Sequence, residues 1–230
     1  MDSRIRNRME GARAAEGTAV IIDVFRAFTF ACYAIGRGCS RIFPVADPRE
    51  AYAAKQADPD LLLAGERFTK MLPGFDFGNS PAEIESVDLA GRALVHCTHA
   101  GTRGLVAAER AGLVLTGSFA NATAIARLVR ERGDQTVSLV CMGHQAERPT
   151  DEDTLCAEFL RALITGEPPD PAADGIAARL RQSESAAKFF DPAQPWTPER
   201  DFELCVKADV FNFVLVRRRD REGRLVLEKA

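Results

Sequence analysis

The sequence lacks the features that mark membrane, nucleic-acid-binding and disulfide-stabilised proteins. No apolar run approaches the length of a membrane-spanning helix, and the charged N-terminus has no signal-peptide core. A formal net charge of -3 gives no basic surface for nucleic acid. The six cysteines form no CxxC pair, which argues against a zinc site and favours reduced thiols. We therefore expect a cytoplasmic globular protein with neither a nucleic-acid nor a membrane partner.

Short apolar runs alternate with helix-like segments along most of the chain. Runs typical of buried strands cover residues 18–22, 41–45, 61–64, 92–96, 113–116 and 136–142. Pro44 places the second of these toward an edge of the sheet. Residues 211–216 and 224–227 flank a DREG turn and predict an antiparallel hairpin at an edge. The alternation predicts an α/β fold with a mainly parallel, mixed sheet and helices on both faces.

Composition divides the chain into three parts. Residues 1–17 are predicted to form an N-terminal arm, either a short helix or a frayed segment, and residues 18–165 the α/β core. The segment GEPPDPA at 166–172 has the composition of a linker. Residues 166–230 then supply C-terminal helices and the hairpin, which either complete the same domain or form a small subdomain.

Polar side chains follow four of the predicted strands. They are Asp23 with Arg26, Glu66 with Arg67, the cluster at 98–103 and the cluster at 144–153. Because the carboxyl ends of parallel strands share an edge, we expect these groups to converge on one cleft. Asp23 has a simpler alternative role, as the cap of the following helix with Arg26 as its surface ion-pair partner.

The predicted cleft combines cations with carboxylates. Arg26, Arg67 and Arg103 could hold a small polyanion, and the segment THAGT offers hydroxyls and backbone N–H groups to an anion. Mg²⁺ binds through one or two carboxylates together with water and substrate phosphate. The carboxylates available for it follow strands or precede a helix, and they are Asp23, Glu66, Asp76, Asp151, Glu152 and Asp153.

Several of these segments resemble motifs of the 2-phosphosulfolactate phosphatase family. They are IDVFRAFTF at 22–30, GER at 65–67, GFDFGNSP at 74–81, AGTRGL at 100–105, GSFANA at 117–122 and EDTLCA at 152–157. The resemblance implies a three-layer α/β/α sandwich. It also implies a Mg²⁺-dependent phosphatase that releases sulfolactate, a step toward coenzyme M. The aspartate pair of haloacid dehalogenases is absent, which favours attack by water that the metal ion activates.

Residues and resemblance together predict the site. The predicted catalytic residues are Asp23, Arg26, Glu66 and Arg67. The predicted substrate-binding residues are Arg26, Arg67, Asn79, Ser80, Thr98, His99, Gly101, Thr102, Arg103 and Asn121. The predicted Mg²⁺ ligands are Asp23, Glu66, Asp76, Glu152 and Asp153. The partner is a small polyanionic substrate, and a homodimer is compatible with the pattern.

Three phenylalanines depart from the family's first motif. Phe25, Phe28 and Phe30 stand where that motif, IDVLRATTT, has leucine and two threonines. These departures keep two alternatives open, a phosphatase for a different phospho-acid and a non-catalytic anion-binding or sensor protein on the same fold. The loop 68–80 has the length and the glycines of a lid over the cleft.

Overall fold

A computed structural model of the protein describes residues 2–230. Its strands are β1 (Asp2–Asn7), β2 (Thr18–Ile22), β3 (Arg41–Val45), β4 (Leu62–Arg67), β5 (Lys70–Met71), β6 (Ala93–Cys97), β7 (Leu113–Gly117), β8 (Thr136–Cys141), β9 (Leu215–Arg219) and β10 (Leu225–Lys229). Its α-helices are α1 (Arg8–Arg13), α2 (Ala27–Gly36), α3 (Pro48–Ala57), α4 (Pro81–Ile84), α5 (Gly101–Ala107), α6 (Ala122–Arg132), α7 (Asp151–Thr165), α8 (Ile176–Leu180) and α9 (Glu199–Cys205). Short 3-10 segments occupy Phe119–Asn121, Ala173–Gly175 and Glu184–Phe190.

The strands form one mixed sheet in the order β1-β8-β2-β7-β9-β10-β3-β6-β4-β5. Strands β1, β8, β2 and β7 are parallel to one another, and so are β3, β6 and β4. The antiparallel β9–β10 hairpin joins the two groups and pairs antiparallel with each of them. The predicted α/β fold with a mainly parallel sheet is confirmed, and the hairpin sets its two parallel groups in opposite directions.

This reversal alone would send the loops of the two groups to opposite edges of the sheet. Neighbouring strands twist by about 20–25°, so the strand steps from β2 to β4 rotate the strand direction by roughly 120–150° in total. A rotation of this size would bring the ends of the two groups toward each other, and residues after β2 and β8 do share one cavity with residues at the ends of β4 and β6. The predicted convergence therefore occurs, although the two strand groups run in opposite directions.

The N-terminal segment takes part in the sheet and is not a frayed arm. Strand β1 pairs with β8 over its whole length, from Asp2 opposite Thr136 to Asn7 opposite Cys141. Its side chains alternate between exposed and half-buried, as expected of a strand at the sheet edge. Helix α1 follows directly and buries Gly11 and Ala12.

The C-terminal hairpin lies in the middle of the sheet, so its predicted edge position is wrong. Leu215, Val216, Val226 and Leu227 are all buried, because helices cover both faces of the sheet at this point. Strand β3 is also internal, between β10 and β6, although Pro44 predicted an edge. β10 pairs with β3 only at Ile42. The pairing ends before Pro44, so the missing backbone N–H of this proline costs the sheet no hydrogen bond to β10.

Alternate side chains of the central strands point into two separate cores, which makes the protein a three-layer structure. On β2, Ala19 and Ile21 pack with helix α2, while Val20 and Ile22 pack with α6 and α7. All six cysteines are buried free thiols. Among residues 2–230, no helix has both the length and the hydropathy to cross a membrane.

The central hairpin makes a stability prediction. Leu215→Ala removes a fully buried side chain from the middle of the sheet, and we expect the free energy of unfolding to fall by about 2–5 kcal/mol. Val210→Ala, at an exposed position just before the hairpin, should change it by less than about 0.5 kcal/mol. Urea unfolding measures both variants, and equal midpoints would contradict the buried position of β9.

Candidate active site

A cavity of about 650 Å³ collects polar side chains from both strand groups. Its walls come from the segments after β2, β4, β6 and β8, from the start of α7 and from the 3-10 segment Glu184–Phe190. Four carboxylates, Asp23, Glu66, Glu152 and Asp153, line it and are each less than 10% exposed. Such a concentration of buried carboxylates is costly unless protons, cations or hydrogen bonds compensate it.

Two of these carboxylates hold strand ends together. Asp153, in the first turn of α7, accepts Val24 N through Oδ1 at 2.9 Å and Gly143 N through Oδ2 at 2.8 Å. Glu66 accepts His99 N through Oε1 and Thr69 N through Oε2, both at 2.8 Å. Asp153 therefore joins the ends of β2 and β8, and Glu66 joins the segments that follow β4 and β6.

The other two carboxylates each keep an oxygen that accepts no hydrogen bond from residues 2–230. Asp23 accepts Ala27 N through Oδ1 at 3.2 Å, so it contacts the start of α2 as the capping alternative predicts. Its Oδ2 lacks a donor. Glu152 accepts Ser185 Oγ through Oε2, and no hydrogen bond of ordinary geometry reaches its Oε1, although Thr150 and the backbone N–H of Glu152 lie close enough to favour the charged carboxylate. Asp23 and Glu152 are therefore the carboxylates best able to take a ligand.

Burial makes these carboxyl groups harder to ionise. It raises the pKa of Asp23 to about 6, an effect that Ala27 N–H and Lys188 oppose and that Glu66 and Glu152 reinforce. Burial also raises the pKa of Glu152, and it raises that of Asp153 well above its ordinary range with help from Glu152 and Asp23. A shared, desolvated acid cluster in a cleft is typical of a functional site.

Arg26 also lines the cavity, but its charge is already paired. Its Nη1 lies 2.6 Å from Asp201 Oδ2, and both side chains are almost fully buried. Nη1 also donates to Trp196 O at 2.9 Å, and Nη2 donates to Thr69 O at 3.4 Å. These bonds leave Nε and one Nη2 hydrogen for a ligand.

The family model for 2-phosphosulpholactate phosphatase matches residues 4–220. The chain belongs to the 2-phosphosulfolactate phosphatase family. A relative from Bacillus subtilis is 33% identical over 88% of this chain and 88% of its own length. A relative from Thermus thermophilus is 37% identical over 70% of this chain and 68% of its own length. A relative from Thermoplasma acidophilum is 29% identical over 85% of this chain and 83% of its own length. Each is named "Probable 2-phosphosulfolactate phosphatase", and family and names indicate a phosphoric monoester hydrolase.

Several residues predicted from family motifs lie outside the cavity wall. Arg67 donates to Glu66 O and Ala46 O, and Arg103 donates to His99 O at 3.4 Å. The two guanidinium groups therefore face backbone carbonyls, and the expected set of three arginines in one cleft is reduced to Arg26. Asp76 accepts Leu63 N at 2.8 Å, beside Lys55 and away from the other predicted metal ligands.

The predicted hydroxyl and amide ligands are engaged within the protein. Thr98 and Thr102 are buried and hydrogen-bond with each other, so the expected anion nest is closed. Ser80 Oγ donates to Asp201 Oδ1 at 2.6 Å, and Asn121 Nδ2 donates to Phe213 O at 3.1 Å. Gly101 approaches Asp23 closely: an added Cβ would lie 2.8 Å from Asp23 Oδ2. Two further predicted ligands do line the cavity, and they are Asn79 and His99.

The phenylalanines that depart from the family motif have different surroundings. Phe28 and Phe30 are fully buried in the core and are absent from the cavity wall. Phe25 alone lines the cavity, where its ring meets that of Phe189 edge-on at 5.0 Å. Of the three departures, only Phe25 can therefore contact a ligand in the cavity.

The predicted lid is anchored over most of its length. Asp76 N and Phe77 N both donate to Leu63 O, and Phe75 is buried in a core cluster. Of this loop, Phe68, Thr69 and Asn79 line the cavity. Phe68 is 65% exposed at the tip, but its neighbour Thr69 is held by Glu66, Arg26 and Trp196.

Residues from the C-terminal part of the chain complete the wall and were not predicted. They include Ser185, Lys188 and Gln194, which follow no strand and belong to no family motif considered above. A lysine between alanine and two phenylalanines in the segment SAAKFF is the only local signal. Their place in the site comes from tertiary packing, which the alternation of strands and helices does not reveal.

Asn79 is held in the wall by a buried histidine, which makes stability depend on pH. His96 Nε2 hydrogen-bonds with Asn79 Oδ1 at 3.0 Å, and burial lowers the pKa of His96 to about 3. The unfolded chain gains this proton near pH 6.5, so stability is lost as pH falls below about 6.5 toward 3. As the pH falls from about 6.5 to 4.5, we expect the free energy of unfolding of the wild-type protein to decrease by about 2 kcal/mol more than that of His96→Gln. Urea unfolding at both pH values measures it, and a pH-independent difference would contradict a buried neutral His96.

Proposed function

We propose that the protein hydrolyses 2-phosphosulfolactate to sulfolactate and inorganic phosphate. The proposal brings to this chain the activity in the names of its relatives, and with it a role in coenzyme M biosynthesis. The observation that best supports this proposal is the combination of charged groups in the cavity. There, two carboxylates with a free oxygen, Asp23 and Glu152, face the same space as the cations Arg26 and Lys188. A phosphatase needs both kinds of group, whereas an anion sensor needs only cations.

We also propose that the enzyme uses Mg²⁺. Among residues 2–230, no group of three or more histidine, cysteine or acidic side chains is arranged to hold a metal. A pair of free carboxylate oxygens nevertheless suits Mg²⁺, which keeps several waters and takes other ligands from substrate phosphate. Asp23 and Glu152 would hold it, and the bound ion would offset charge that develops on the phosphoryl group.

The remaining side chains would fix the geometry around this pair. Asp153 and Glu66 hold the loop backbones on either side of Asp23, since each of their oxygens accepts one N–H. Arg26 would donate its free Nε and Nη2 hydrogens to an anionic group of the substrate. Asp201 keeps that guanidinium in place, because breaking a buried ion pair costs about 3–5 kcal/mol.

The non-catalytic alternative loses its main support. It rests on Phe28 and Phe30, and both lie in the core. A phosphatase for a different phospho-acid stays open through Phe25, which does line the cavity. Phosphate release from 2-phosphosulfolactate and from phosphorylated hydroxy acids without the sulfonate distinguishes the two. A higher kcat/KM for any of the latter would overturn the substrate assignment.

Metal dependence is the first prediction for the activity. Exhaustive chelation should abolish phosphate release, and a Mg²⁺ titration should restore it, because the carboxylate pair otherwise repels the phosphoryl group. Calorimetric titration of the chelated protein should also show Mg²⁺ binding that Glu152→Gln weakens. Full turnover after chelation would reject the metal proposal and leave the phosphatase proposal standing.

The second prediction concerns Asp23. Asparagine caps a helix about as well as aspartate but cannot hold a cation by charge, so Asp23→Asn should stay folded. We expect kcat to fall by roughly 100-fold or more, the scale of a lost electrostatic group. Asp174→Asn, at an exposed site outside this cavity, is the matched control and should keep normal turnover. Near-normal turnover of a folded Asp23→Asn protein would show that Asp23 acts only as the cap of helix α2.

A further inference from the structure

Lys188 is held in the cavity wall by contacts that fix its ammonium group. It lies in the 3-10 segment Glu184–Phe190, and its Nζ donates to Phe25 O at 3.1 Å. The same nitrogen lies 5.8 Å from the centre of the Phe25 ring and 5.1 Å from that of Phe189. A half-buried lysine stem between two aromatic rings has little rotamer freedom left, so the charge has a defined position.

The charge of Lys188 is not paired within the protein. Among residues 2–230, no carboxylate oxygen lies within salt-bridge distance of its Nζ, whereas Arg26 pairs with Asp201 at 2.6 Å and Arg148 with Glu184 at 3.4 Å. An ammonium group has three donors, and the Phe25 carbonyl takes one of them. Two donors of the ammonium group therefore remain at the cavity wall. Burial and the nearby Arg26 lower the pKa of Lys188, and Glu152 and Asp23 oppose that shift.

Chain connectivity places this free cation beside the two ligand-free carboxylate oxygens. Its acceptor, Phe25 O, is two residues from Asp23, and Ser185, three residues before Lys188, donates to Glu152. Asp23, Glu152 and Lys188 all line the same cavity. A ligand in this cavity therefore meets both the carboxylate pair and the ammonium group.

We propose that Lys188 binds the phosphoryl group of the substrate directly, with its two free donors on non-bridging phosphoryl oxygens. This inference rests on the proposed phosphatase function and adds a residue to it. The position in the same cavity as Asp23 and Glu152 favours the phosphoryl group over the sulfonate or carboxylate, because the Mg²⁺ that those carboxylates would hold takes phosphate oxygens as ligands. Arg26, whose charge Asp201 neutralises, is left for a remote anionic group of the substrate.

The test separates the charge of Lys188 from its structural bond to Phe25 O. Lys188→Gln removes the charge but keeps an N–H donor for that carbonyl, and Lys188→Arg keeps the charge. The probe is inorganic phosphate, titrated calorimetrically in the presence of Mg²⁺. We expect Lys188→Gln to weaken phosphate binding about 10- to 100-fold, the scale of a hydrogen bond to a charged group, and Lys188→Arg to recover part of it.

Kinetics with 2-phosphosulfolactate provides the second readout. Lys188→Gln should lower kcat more than it raises KM, because charge grows on the phosphoryl oxygens as the bond breaks. Lys207→Met removes an exposed lysine outside this cavity and should change neither quantity. A thermal melt near that of wild type would show that the Gln variant folds. If that variant does not fold, Lys188→Met removes the charge and keeps an unbranched stem near the rings of Phe25 and Phe189, and we expect the same losses of phosphate affinity and kcat from it.

The outcomes distinguish this inference from the function on which it rests. Wild-type affinity for phosphate in Lys188→Gln, or an increase in KM alone, would overturn direct binding of the phosphoryl group. A wild-type protein that binds phosphate through Lys188 but hydrolyses no 2-phosphosulfolactate would overturn the substrate assignment and keep the role of Lys188. A wild-type protein that binds no phosphate would overturn the role of Lys188.

Discussion

The buried ion pair between Arg26 and Asp201 holds three distant parts of the chain at one point. Arg26 opens helix α2, Asp201 belongs to α9, and Asp201 also accepts Ser80 Oγ and Ala82 N at the start of α4. Desolvation offsets most of the Coulomb attraction in such a pair, so its net contribution to stability is small. The main effect of the pair is to fix the positions of the elements that it joins. The carboxylate places α9 and the preceding segment, with Lys188 and Ser185, against the ends of the parallel strands.

The carboxylates in the cavity divide according to what their oxygens accept. Each oxygen of Asp153 and Glu66 accepts one backbone N–H and so fixes loop geometry, whereas one oxygen of Asp23 and one of Glu152 accept no hydrogen bond of ordinary geometry. Burial raises the pKa of Asp23 to about 6 and also raises that of Glu152, so a bound cation would stabilise the ionised form of both groups. The protein therefore maintains an electrostatically incomplete site. A metal ion and a phosphoryl group would complete it together.

Sequence reasoning located the parallel strands β2, β3, β4, β6, β7 and β8, but not β1 or β5, together with those site residues that lie at the strand ends. Asp23, Glu66 and His99 line the cavity, as expected from their positions in the sequence. An apolar run identifies a buried strand, and the end of that run identifies residues at the edge of the sheet. Arg67 and Arg103 follow strands too, yet they face backbone carbonyls, because local spacing does not determine on which side of a loop a long side chain lies. Lys188 was missed for the complementary reason: its position depends on the packing of Phe25 and Phe189, more than 160 residues apart.

The hairpin position follows from a constraint that short-range patterns do not contain. Strands β9 and β10 alternate in sequence as an edge hairpin would, but Val214, Leu215 and Val216 are consecutive and all buried, which requires cover on both faces. The hairpin pairs with β7 on one side and β3 on the other, so within the sheet the last part of the chain joins the two parallel groups. Such non-local pairing has a large loop-closure cost and tends to form late in folding. Because the cavity takes its walls from both groups, a complete site requires the C-terminal hairpin to be in place.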